Sequence, residues 1–415
     1  MRCSAPRHTG GAPRMSSTMG LVVFLQGCYA LCAEGDEVAC SLNGACGRDG
    51  SCVCDRGWRG ENCGQLRLAP PSAATPGYRN ESMPTWGGDA ILEGGTWHMF
   101  ITAKDVAARS PYDSYACATQ IVRLEGPTAA GPFRLAEVTF PSWHHEAHAI
   151  RAPDGTVLVY MIGFDGGQPP APNSSVCAGT SGGCHLPGLN YSHQVIKLAS
   201  APSVHGPWTE RVLLNPWPGL ANRSNFLCQT NCPSATFAAD GTSVLVAFRG
   251  AQCTTAPGTA PTKEKIALAS APHWSGPYAI VDAATPAFGW RTPASWPVGL
   301  RDVTMANEDP FLWRNARGFH MLTHAQFGAD HKTRGAYGFS VDGRNWTILP
   351  DEQWAQNVTW DDGSVTVFDR RQAPALHLDE DGLPAYLLTP VDNNTGGADG
   401  CHWHTGWTLI QPVAE

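Results

Sequence analysis

Beyond residue 78 the chain is written in short apolar runs separated by turn residues. Asn231-Cys-Pro-Ser-Ala-Thr-Phe-Ala-Ala-Asp-Gly241 leads through an Asp-Gly turn into a second run, Val244-Leu-Val-Ala-Phe248. A strand, a tight turn and a second strand make a β-hairpin signal. Glu308-Asp-Pro-Phe-Leu-Trp-Arg-Asn-Ala-Arg-Gly318 and Gln372-Ala-Pro-Ala-Leu-His-Leu-Asp-Glu-Asp-Gly382 repeat the pattern. In all three, Pro precedes Gly by eight residues: Pro233 and Gly241, Pro310 and Gly318, Pro374 and Gly382. Glu146 to Gly155 is a fourth copy with Ala147 in the Pro column, and Asp89 to Gly95 a shortened fifth. A second hairpin signal follows in Gly206-Pro-Trp208 and Gly276-Pro-Tyr278, with weaker versions at Gly131-Pro-Phe133 and Asp342 to Trp346. Two hairpins per repeat at a period of about 70 residues predict an all-β fold, a five-bladed β-propeller over 78–415. Gly155, Gly241, Gly318 and Gly382 should then lie between the first two strands of their blades.

In a propeller the innermost strands all begin at one mouth of the central channel. Residues far apart in sequence therefore meet there: Asp89, His145-Glu146, Asn231-Cys232, Glu308-Asp309 and Gln372-Ala373. Polar residues in that place read as a site rather than a core. For Asp309 the favoured role is a local one, capping the strand entry by accepting nearby backbone N–H groups. The ends of the second strands bring Lys104, Arg249 and His324 to the rim, and Arg371 sits beside Gln372. Connecting loops carry Trp143, Trp217, Trp290, Trp296 and Trp360, of which Trp143 and Trp290 are candidates for stacking on a ligand; the competing role for each is packing between blades. His144, His145 and His148 read as polar lining, with His145 and His148 as substrate contacts. No metal and no cofactor are expected.

The amino terminus reads differently. Arg2, Arg7 and Arg14 precede the apolar run Met19-Gly-Leu-Val-Val-Phe-Leu25, and no acid appears before Glu34. Residues 1–30 read as a secretory signal peptide, the run being too short to span a bilayer. Fifteen Cys suit an oxidising compartment. Sequons at Asn80, Asn173, Asn190, Asn222, Asn345, Asn357 and Asn393 exceed the about two that chance would supply. The expected location is extracellular, with no transmembrane span. A net charge of -8 with only five Lys removes the basic field that nucleic acid requires.

Cys32, Cys40, Cys46, Cys52, Cys54 and Cys63 end in Cys52-Val-Cys54-Asp-Arg-Gly57-Trp58-Arg-Gly60-Glu-Asn-Cys63. Six Cys alone allow 15 pairings. The motif resembles an epidermal growth factor-like (EGF-like) module over 32–64, and that resemblance implies Cys32–Cys46, Cys40–Cys52 and Cys54–Cys63. Such modules are spacers or binding units, so an extracellular protein partner is expected through it. Residues 65–77 read as a linker or a lead-in to the first strand. Cys177 and Cys184 are expected to pin a long loop. Seven Cys lie beyond the module, so at least one is unpaired or intermolecular.

The Asp89-Ala-Ile and Glu308-Asp-Pro-Phe motifs, with the five-fold period, resemble the five-bladed glycoside hydrolases of family 43, covering nearly all of 78–415. The resemblance implies cleavage of arabinan, xylan or related glycans, Asp89 as the base that activates water and Glu308 as the general acid. Glu146 or His148 would stand in for the family's second-blade Asp. Inverting hydrolysis would hold the two carboxyls about 6.5–9.5 Å apart. Two departures stand out. Glu308 opens the fourth repeat, whereas the family's acid lies in the third blade, and the third repeat opens on Asn231, which cannot act as an acid. The alternative is a non-catalytic sugar-binding or adhesion propeller.

Overall fold

The computed structural model describes residues 32–105, 119–164, 194–214, 229–252, 263–281, 306–327, 332–349, 352–393 and 405–415. The expected signal peptide, Trp217, Trp290, Trp296 and the Cys177–Cys184 pair lie outside the described residues. Every described element is a strand.

Four antiparallel four-stranded sheets follow in chain order. Blade 1 is Thr85–Glu93, Thr96–Lys104, Thr119–Gly126 and Arg134–Phe140; blade 2 is His145–Arg151, Val157–Phe164, Gln194–Ala201 and Thr209–Leu214. Blade 3 begins with Gln229–Phe237 and Val244–Gln252, and blade 4 with Ala306–Arg314 and Phe319–Phe327. Blade 5 holds Arg370–Arg371 and Ala375–Leu378 beside Pro384–Asp392, then Trp407–Pro412. Its outermost place is taken by Gly77–Tyr78, from the other end of the chain. That strand lengthens the last sheet and covers an edge that would otherwise present unpaired N–H and C=O groups. The second strands are the most buried: Val157, Leu158, Val159, Tyr160 and Met161 are all inaccessible. Gly155, Gly241, Gly318 and Gly382 occupy the turns between first and second strands, as the repeat requires. Three cis Gly-Pro bonds, at 131, 206 and 276, all fall between the third and fourth strands of their blades.

The amino-terminal module carries the three expected disulfides, with S–S lengths of 1.96, 1.95 and 2.09 Å. It shares a core with the propeller. Trp58 stacks on Trp313 at 6.4 Å and meets Tyr337 at 4.8 Å, and Leu42 and Leu66 join the same apolar cluster. Tyr337 Oη donates to the Ser41 carbonyl and accepts from Asn43 Nδ2 at 2.8 Å. Gln353 accepts from the Leu66 N–H and donates to the Gly64 carbonyl. Arg317 pairs with Glu37 and Asp55, and Arg56 with Asp379. Arg317 and Asp379 sit in the turns that end the inner strands of blades 4 and 5, so the module lies on the face opposite the strand starts. Within segment 65–77, Gln65–Leu66 pairs with Trp58–Arg59, and Leu68 bridges to Val413.

Candidate functional site

Each inner strand carries one irregularity near its start. Register shifts fall between Trp86 and Gly88, His145 and His148, Asn231 and Ser234, and Glu308 and Phe311. The residue that absorbs the shift has a positive φ in every blade: Gly87 (49°), Glu146 (48°), Cys232 (53°), Asp309 (52°) and Ala373 (38°). Four of the five are not glycine, and a left-handed non-glycine residue costs about 1–3 kcal/mol, a strain that gathers at working sites. The five bulges turn their residues onto the channel axis. They line one cavity of about 40 Å³, with Gly88, Ala147, Pro233, Pro310 and Pro374 after them and Asp89, His148, Phe311 and Ala375 one step deeper.

The first ring therefore sets Glu146, Cys232 and Asp309 together, flanked by the small Gly87 and Ala373. Ligand atoms of those three lie within 4.8 Å of one another, as do those of Glu308, Asp309 and His324. Either triad has the reach to hold a cation through Asp309. Burial pushes the Glu146 carboxyl well above the usual carboxylate range, and the nearby Asp309 charge pushes it further. Glu146 Oε2 is buried without a hydrogen-bond partner among the described residues, as suits a neutral acid. The Cys232 thiol is raised well above its ordinary value, first by burial and then by Glu146 and Asp309. Above the ring, Glu308 pairs with Arg249 at 3.2 Å. His145 lies 3.7 Å from Glu146, its pKa driven down to about 3 by burial and by Arg249. His324 reaches Asp309 through Nδ1 at 3.3 Å.

The remaining candidates occupy other places. Asp89 aligns two residues beyond the bulge, in the second ring; the bulge position of blade 1 is Gly87. Its carboxylate meets His148 Nδ1 at 3.0 Å and accepts the Ala90 N–H. The other ring nitrogen of His148 meets the Ala235 carbonyl at 2.9 Å, and its edge packs on Phe311. This pair ties blades 1 to 4 below the axial ring. Arg371 is inside blade 5, not on the rim, its guanidinium bonded to Thr389, Gln411 and the Ala355 carbonyl. Trp143 and Trp360 are buried packing residues, Trp143 against Phe164 at 4.8 Å. Sequence reasoning gave Asp309 a strand-capping role and passed over Cys232; the column before the aligned prolines held the signal for both. Cys232 is a free thiol and accounts for one of the seven Cys beyond the module.

Glu146 makes stability depend on pH in a defined direction. Its folded pKa lies above its unfolded value of about 4.5, so the native state binds the extra proton. The contribution is fully present below pH 4.5 and is lost as pH rises through the raised value. His145, His320 and His377, driven down to about 3, 3 and 4 by burial, act oppositely: their stability is present above pH 6.5 and lost toward acid. Melting curves of Glu146→Gln should therefore lose the decline at rising pH and keep the acid limb. An unchanged alkaline decline would show that Glu146 is ionised in the native state.

A family model for the Teneurin-like EGF domain matches residues 37–65. No curated protein matches the chain in sequence. Among solved structures, one named only as a glycoside hydrolase superposes with a TM-score of 0.56 at 10% identity, over 84% of this chain and 93% of its own. The fold is that of propeller glycoside hydrolases. A family 117 glycoside hydrolase from the marine bacterium Zobellia galactanivorans gives 0.52 at 12% identity, over 84% and 89%.

Proposed function

We propose that the chain is an exported glycosidase that cleaves O-glycosidic bonds in pentose- or furanose-containing glycans. The observation that carries this reading is the axial carboxyl set: a half-buried Glu146, its carboxyl raised by desolvation and by Asp309, with Glu308 held by Arg249. Acid–base hydrolysis needs two carboxyls whose environments push their pKa values apart. Glu146 would give its proton to the glycosidic oxygen. Glu308, paired with the Arg249 guanidinium, would take a proton from water as the water oxygen bonds to the anomeric carbon and the C–O bond breaks. Asp309 acts by keeping the Glu146 proton in place. Asp89 positions rather than reacts, since His148 occupies its carboxylate. The shared fold supports a glycan ligand, while the disulfides and the EGF-like module support an extracellular setting.

The non-catalytic reading is favoured by one observation: blade 1 offers Gly87 to the axial ring where a third carboxyl would complete it. Purified protein incubated with arabinan, xylan and galactan fragments separates the two. New reducing ends are expected. Binding to a fragment without any cleavage would move the assignment to a sugar-reading propeller.

A further inference from the structure

Between blades 4 and 5 the chain folds a separate two-stranded sheet, Asn357–Thr359 with Val365–Val367. Its two sides are unlike. Val358 is inaccessible and packs with Trp360, Phe368 and Trp407 against blade 5. The opposite side carries Asn357 and Thr359, both exposed, with Val365 and Val367 across from them. Those two valines are 58% and 68% accessible, and Val367 is the most exposed large apolar side chain described. Together the two valines leave a small apolar patch in water along this sheet edge. Asn357-Val358-Thr359 is also an N-glycosylation sequon. The register sets Asn357 directly opposite Val367, and Thr359 opposite Val365, and directly opposed side chains stand about 5 Å apart.

We infer that Asn357 is a glycosylation site whose first sugars lie over Val365 and Val367 and shield that edge. The step needs a lipid-diphosphate-linked oligosaccharide as donor. The Asn357 amide nitrogen forms a C–N bond to the anomeric carbon, the C–O bond to the diphosphate breaks, and the amide loses one proton. Burial of Val358 fixes the orientation, because a one-residue slip of its strand would turn Asn357 into the core. The inference rests on export and is independent of sugar cleavage at the axis.

The test uses the full chain secreted from a eukaryotic cell. Glycopeptide mapping with an amidase that converts glycosylated Asn to Asp in heavy-oxygen water should label Asn357. Asn357→Gln and Thr359→Ala should each raise binding of an apolar dye severalfold over wild type, while Asn393→Gln and Thr359→Ser should not. Adding Val365→Thr and Val367→Thr to Asn357→Gln should abolish the rise. An unmodified Asn357 in material glycosylated elsewhere overturns the inference, as does an occupied Asn357 whose loss leaves dye binding unchanged. Secreted protein without glycan at any sequon overturns it as well, and a chain retained in the cytosol without glycan overturns it together with export.

Discussion

Glu308→Gln is expected to lower the rate of glycan cleavage by about a hundred- to ten-thousand-fold while leaving the melting temperature close to wild type. Glutamine keeps the size of the side chain and an oxygen for Arg249, now at 3.2 Å from Glu308, but it cannot accept a proton from water. Glu146→Gln should lose a comparable factor for the opposite reason, because an amide cannot deliver the proton that burial keeps on the carboxyl. The two losses should not multiply in the double variant, since both groups serve one step. Asp89→Asn offers the contrast. It disturbs a buried pair with His148, so it should lower the melting temperature first. Steady-state rates and melting curves on the four proteins check the set. Full activity in both Glu308→Gln and Glu146→Gln would remove the axial carboxyls from the chemistry.

Trp58→Ala should destabilise the whole chain by about 3–5 kcal/mol, the usual cost of emptying a large aromatic site in a core. Trp58 belongs to the small module, yet it is 4% accessible and packs against both Trp313 and Tyr337 of blade 4. Its removal would open the shared cluster and leave the Tyr337, Asn43 and His320 polar network against a void. Module and propeller should accordingly melt in one transition, lowered as a unit by the substitution. The check is calorimetry of wild type and variant. Two resolved transitions in wild type, with only the smaller one shifted in Trp58→Ala, would show that the module is an independent appendage.

The repeat was readable because hairpins are local. Pro233, Pro310 and Pro374, with the turn glycines eight residues later, mark one structural column whatever the rest of each blade contains. The cysteine motif of the module was readable for the same reason, being a spacing within about 30 residues. Blade 1 was misaligned at its inner end because its copy is shortened around Gly94-Gly95. The slip made Asp89 look like the counterpart of Glu146, whereas the bulge places Gly87 there and sends Asp89 one ring deeper to His148.

Composition, spacing and turn chemistry were thus enough for the all-β class, the five-fold count, the disulfide-stapled module and the set of polar residues gathered at the strand starts. They could not show that the EGF-like module is bound to the far face, because Trp58 and Trp313, or Arg317 and Glu37, are more than 250 residues apart. Nor could they sort the gathered residues by environment. Glu146 and Asp89 are both carboxylic acids near a strand start, yet one is desolvated beside Asp309 and the other faces an imidazole. Arg249 and Arg371 carry the same group, but one pairs with Glu308 and the other is enclosed in blade 5. A side chain's chemistry depends on burial and on neighbours within a few ångströms, and the closing of five blades about one axis chooses those neighbours.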